Sequence, residues 1–146
     1  MAHFAELKQK KDPSGFTEDL HWVVERVIVV DNKHVSADEA LDGENWCSTF
    51  FGGGTWKQTS YNSNFRKMYA GIGYTYDPAK NKFLHQQPFA SWSLDENDDW
   101  KAPVTYPTDT EGKTVGWDED GQKWTAKDSE ENNYNWDASG LSWVSA

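Results

Sequence analysis

His21-Trp22-Val23-Val24-Glu25-Arg26-Val27-Ile28-Val29-Val30 is the stretch whose reading decides the fold class. Six β-branched residues crowd into ten positions, broken only by Glu25 and Arg26, and side chains of that shape favour a strand. Val23, Val27 and Val29 cannot all share one face with Val24 and Val30. The strand is therefore expected to be covered on both faces or re-phased by a bulge. Upstream, His3 to Leu7 alternates weakly and reads as a first strand. The polar run Lys8 to Gly15, with Asp12-Pro13 and Ser14-Gly15, reads as a turn or loop.

Downstream, Asp31 to His34 reads as a tight turn, and Ser36-Ala37-Asp38-Glu39 has the form of a capping box that opens a short helix. Gly43 is expected to interrupt that helix. A further turn or two carries Trp46, Cys47, Phe50 and Phe51, mostly on one face. Gly52-Gly53-Gly54 reads as a helix stop, since no Lys-Ser/Thr pair follows as a phosphate loop requires. From Thr55 to Tyr76 the pattern is β again. A hairpin is expected over Lys57 to Phe65, followed by a strand whose Gly71 and Gly73 share a face and leave a groove for a neighbouring ring.

The second half carries a repeat. Tyr76-Asp77 leads to Phe83, Leu94-Asp95 to Trp100, Trp117-Asp118 to Trp124, and Trp136-Asp137 to Trp143. Each unit is a large apolar residue, an Asp, a short polar loop and an aromatic. Asp suits the first position of a turn because its carboxylate accepts the turn's amides. Gly121 and Gly140, three positions after their Asp, are expected to supply the left-handed residue of a hairpin loop. Residues 101–116 and 125–133 read as linkers. The fold expected is α+β and mostly antiparallel β, with a small sheet, one or two short helices and a C-terminal aromatic hairpin extension. The division is 1–89 for the main domain and 90–146 for the extension.

The chain has 146 residues, with 14 basic against 24 acidic side chains and a net charge of −10. Clustered phosphate contacts need Lys and Arg, so a nucleic-acid binder is not expected. No apolar run approaches the ~20 residues of a membrane span, and the opening MAHFAELKQKKD has no secretory signal pattern. Leu, Ile, Val and Phe together number 24, a share that with this charge would suggest disorder. The 9 Trp, 6 Tyr and 7 Phe reverse that expectation, because each ring buries roughly 150–250 Å². The result is a chain held by rings, with a thin core suited to a partner.

Little reads as catalysis. His3, His21, His34 and His85 are scattered without metal-ligand spacing. Asp95, Asn97 and Asp99 imitate the start of a calcium loop, but Trp100 and Tyr106 stand where Gly and Glu are needed. Cys47 beside Trp46 reads as a core thiol. No enzyme, cofactor or metal is expected. The candidate interface residues are Trp92, Trp100, Trp117, Trp124, Trp136 and Trp143, because Trp concentrates at protein interfaces. The competing use of the same rings is stacking on sugars, as in a carbohydrate-binding module.

The segments WKQTSYN (56–62), YAGIGYTYD (69–77), FASWSLDENDDWKAPVTYPTD (89–109) and YNWD (134–137) resemble a family of small proteins of marine tailed bacteriophages, of the cyanophage and pelagiphage type. The resemblance spans roughly residues 1–8 and 46–146 and implies a phage origin. With it, the expected function is a non-enzymatic virion structural protein, either a decoration subunit on the capsid exterior or a tail or fibre component. Its expected partners are the major capsid protein or tail and fibre proteins, with a homo-oligomer also compatible and neither nucleic acid nor membrane involved. The expected place is the virion, after synthesis in the host cytoplasm. The alternative is a carbohydrate-binding host-recognition module of a tail fibre.

Overall fold

The computed structural model describes residues 1–35 and 37–146. The chain is a small α+β protein, mostly antiparallel β, with one α-helix and one 3-10 turn. It divides into two compact units, Met1–Gln86 and Gln87–Ala146.

The first unit is a five-stranded antiparallel sheet of β1 (Ala2–Lys11), β2 (Leu20–Val30), β3 (Thr55–Thr59), β4 (Thr75–Asp77) and β5 (Lys82–Leu84), in the order β3-β1-β2-β4-β5. Strand β1 lies between β3 and β2 and extends past Leu7 into the polar run. Lys8 to Lys11 pair with Val23 to Leu20, so the loop of the hairpin is only 12–19. The Asp12 carboxylate orders that loop by accepting the amides of Ser14 at 2.9 Å and Thr17 at 3.1 Å. Burial alone would push Asp12 up; these hydrogen bonds outweigh it and hold its carboxyl below the usual range.

Both ways of accommodating the valines of β2 are present. Glu6 pairs with Arg26 and Leu7 with Val24, leaving Glu25 as the extra residue of a bulge. Both sheet faces are also covered. Ala2, Phe4 and Val30 pack with Val35, Cys47 and Trp56 under the helix, whereas Ala5, Leu7 and Val24 pack with Ala70, Tyr76 and Phe83 on the other side.

Helix α1 (Glu39–Phe50) is capped by Asp38, whose carboxylate accepts from the Leu41 amide at 3.0 Å. Ser36, the expected cap, lies outside the described residues. Gly43 does not interrupt the helix. A Cβ there would sit 1.9 Å from Phe4 Cζ, so the glycine is what allows the helix to lie on the sheet. One turn on, Cys47 is fully buried on the same side, whereas Phe50 is 66 % exposed. Trp46 and Phe51 pack against the same core as Cys47, so most of the four share the sheet-facing side as expected and Phe50 is the exception. Gly52, Gly53 and Gly54 all have positive φ and end the helix.

The hairpin expected over 57–65 and most of the following strand are absent. β3 pairs with β1, and 60–74 is irregular. Local hydroxyls take the amides that a ladder would use: Ser60 Oγ accepts from Asn64 N, Ser63 Oγ from Tyr69 N and Thr59 Oγ1 from Ala70 N, all within 3.0 Å. Gly71 and Gly73 lie in a turn in which the Tyr74 ring covers Gly71.

The second unit contains a short ladder of β6 (Ser93–Leu94) with β7 (Trp100–Lys101). Its main element is a four-stranded meander of β8 (Lys113–Asp118), β9 (Lys123–Asp128), β10 (Asn133–Asp137) and β11 (Ser142–Ser145), in the order β11-β10-β9-β8. The two expected linkers are structured instead. Ala102 is buried and Val104 packs against the core, β8 occupies 113–118, and 125–133 holds the rest of β9 and the turn into β10.

All four repeat units place their flanking pair in register: Tyr76 with Phe83, Leu94 with Trp100, Trp117 with Trp124 and Trp136 with Trp143. The turn chemistry differs from expectation. The left-handed residues are Asn81, Asp98, Gln122 and Leu141, at φ 54°, 60°, 48° and 51°, and neither Gly121 nor Gly140 is among them. Those two glycines instead leave room for the Asp: a Cβ on either would lie 2.7 Å from the Asp118 or Asp137 carboxylate. A fifth turn of this kind begins at Asp128, whose Oδ1 accepts from Glu130 N at 2.9 Å and Asn132 N at 3.0 Å.

Candidate functional site

The meander's aromatic side is built by strand alternation. Trp117 on β8, Trp124 on β9 and Trp136 on β10 project to the side on which Ala102, Val104 and Trp92 pack. Trp117 and Trp124 meet edge to face at 4.9 Å, and Trp92 stands against both, at 6.1 and 5.9 Å. Glu119 fixes this corner. It accepts from Trp117 Nε1 at 2.8 Å and from the Ser91 amide at 3.0 Å, and the Ser91 hydroxyl also donates to it. These donors hold its carboxyl below the usual range.

Beside the corner is a cleft of about 330 Å³ lined chiefly by Trp92, Trp100, Ala102, Val104, Tyr106 and Trp124. Tyr106 lies edge to face on Trp124 at 5.0 Å and remains 55 % exposed, forming an accessible wall. Trp124 Nε1 donates to the Val104 carbonyl at 2.9 Å, which ties the 101–106 segment across its ring. Lys101 and Thr105 complete the lining of this largely apolar cleft. Trp92 Nε1 is buried and has no acceptor among the described residues.

Of the six tryptophans singled out by sequence, Trp92, Trp100 and Trp124 line the cleft, and Trp117 buttresses it. Trp136 is buried with Ala102 and Trp124 and pairs with Trp143 at 5.0 Å, and neither of the two lines the cleft. Tyr106, Ala102 and Val104 were missed because the 101–116 segment reads as a linker. Their alternation at 102, 104 and 106, interleaved with Pro103 and closed by Pro107, was the available signal.

The other chemistry-bearing residues are placed structurally. His3 stacks on Tyr61, His34 on Trp46 and His85 against Tyr74. Asp95 Oδ1 accepts the amides of Asn97 and Asp99 and so forms its turn. Burial pushes the Cys47 thiol up to about 11, with nearby Glu44 adding to the shift. Among the described residues no group of three or more His, Cys, Asp and Glu is placed to hold a metal ion. No helix among them is long and apolar enough to cross a membrane.

Compared with protein-family models, curated proteins and solved structures, the chain matches none.

Proposed function

We propose that the protein is a non-enzymatic structural component of a phage particle, an accessory subunit on the capsid exterior or a part of the tail and fibre apparatus. The observation that carries this reading is a contiguous aromatic strip formed by α1 and the 3-10 turn before it, Asn32–His34. Trp46 stacks on His34 at 4.6 Å and on Phe50 at 4.7 Å, and Phe50 is 66 % exposed at its end. Contiguous rings that reach the surface, ending here in an exposed Phe50, mark protein contacts. The sequence resemblance to small marine phage proteins supports the particle as the setting. Burial of the lone thiol and stacking of three histidines support a structural use of these residues.

Mass spectrometry of particles purified from the encoding phage tests this. Hundreds of copies relative to the major capsid protein mean decoration, and a few to tens mean tail or fibre. Absence from the particle overturns the reading.

A further inference from the structure

We infer that the Trp92–Trp100–Tyr106–Trp124 cleft receives a cationic side chain, Arg above all, from a basic segment of a partner protein. The inference goes beyond the virion reading and stands whether or not the protein is found in particles.

The first argument is charge. Residues 87–146 carry four Lys and no Arg against eight Asp and five Glu, a net −9. Residues 1–86 carry ten basic and eleven acidic side chains, a net −1. The unit holding the cleft therefore carries nearly all of the protein's negative charge. Acids also flank the lining in sequence: Asp95 to Asp99 precede Trp100, and Asp118 to Asp120 form the turn that Glu119 ties to Ser91 beside Trp92. Such a field draws cations and repels phosphate or acidic glycans. A neutral sugar gains nothing from it.

The second argument is lining chemistry. Ring faces attract a desolvated cation through their quadrupole, and a planar guanidinium both stacks and carries charge. The first unit already shows this arrangement satisfied within the chain. There the Arg26 guanidinium lies 4.1 Å from the Phe51 ring centre and 5.3 Å from that of Trp56, and is 3.3 Å from the Glu6 carboxylate. The second unit has the rings and the acids but contains no arginine.

The test is calorimetric titration of the full chain with acetyl-Gly-Arg-Gly-Arg-Gly-amide and with the same peptide carrying citrulline for arginine. Saturable binding is expected of the arginine peptide alone, weakened about tenfold when salt is raised from 0.05 to 0.5 M. Tyr106→Ala, at an exposed ring, is expected to weaken binding about fivefold with unchanged circular dichroism. Lys101→Glu replaces a cation with an anion in the segment beside the cleft and is expected to tighten binding severalfold. Because Lys101 is exposed, this second variant keeps the test decisive should Tyr106→Ala fail to fold. Binding that ignores both variants would mean diffuse charge attraction and overturn the proposal. So would no binding at low salt, equal binding of the citrulline peptide, or saturable binding of neutral maltopentaose abolished by Tyr106→Ala, which would assign the cleft to sugars.

Discussion

Glu44 and Arg66 lie 3.3 Å apart and between them take both backbone groups of Gln58 on β3, the strand at one end of the first sheet. Glu44 accepts from the Gln58 amide at 3.0 Å, and Arg66 donates to the Gln58 carbonyl at 2.8 Å. The ion pair thus stands where another strand would add, a protection that exposed sheet edges need. Arg66 Nε also donates to Asn81 Oδ1 at 2.8 Å, so one guanidinium joins α1, β3 and the β4–β5 turn.

Both charged side chains are mostly buried, at 16 % and 18 % exposure. Arg66→Ala leaves a carboxylate and a carbonyl without their partner and is expected to lower stability by about 2–4 kcal/mol in urea titration. Arg66→Lys should recover little of this, because an ammonium cannot bridge three acceptors in a plane. Light scattering should show concentration-dependent association of the alanine variant through the opened edge, with none in the parent.

Gly43→Ala reverses a general rule. In an exposed helix interior the change stabilises by about 1 kcal/mol. Here the new methyl meets the fully buried Phe4 ring. A loss of about 2–3 kcal/mol is expected in the denaturation midpoint. Adding Phe4→Leu to Gly43→Ala should return part of it, which separates steric overlap from altered helix propensity.

The β10–β11 turn gives a paired test. Leu141 has φ 51° and is 64 % exposed, so Leu141→Gly relieves strain without uncovering core and should stabilise by about 0.5–1 kcal/mol. Gly140→Ala should do the opposite. The Asp137 carboxylate, bonded to the amides of Ser139 and Gly140 at 3.1 Å, would have to move, at about 1 kcal/mol. Thermal melts of both variants check the pair.

Asp128 sets an acid dependence. The Asn132 side chain, the Asn132 amide, the Tyr134 hydroxyl and the Glu130 amide hold its carboxyl down to about 2. A folded-state value below the unfolded one stabilises above the unfolded value, and that contribution disappears as pH falls through the folded one. Asp128→Asn should therefore be less stable than the parent at pH 6, and the difference should shrink between pH 4 and pH 2. Parallel melts across that range measure it, and a constant difference would refute the assignment.

Cys47 offers a probe of the first unit. It is fully buried with its thiol raised to about 11, so a disulfide reagent at pH 8 should react far more slowly than with a free thiol. Reaction should become immediate in denaturant, with a midpoint matching the unfolding of that unit.

Strand β2, the helix stop at Gly52–Gly54 and the pairing of each Asp-turn unit were legible from the residues themselves. β-branching, glycine conformation and carboxylate-to-amide bonding act over a few positions. The left-handed role given to Gly121 and Gly140 failed because carboxylate crowding, rather than a positive φ, excludes a side chain at both.

The amino-acid order alone determined that the chain is mostly antiparallel β and that its tight turns begin at Asp. Those properties follow from neighbours within about seven positions. Tertiary structure decided that Gly43 belongs inside a helix, that 60–74 is irregular, and that Ala102, Val104 and Tyr106 join distant tryptophans around one cleft. Each of these depends on which surfaces meet across the chain. Side-chain volume at such a meeting has no periodic trace in the sequence.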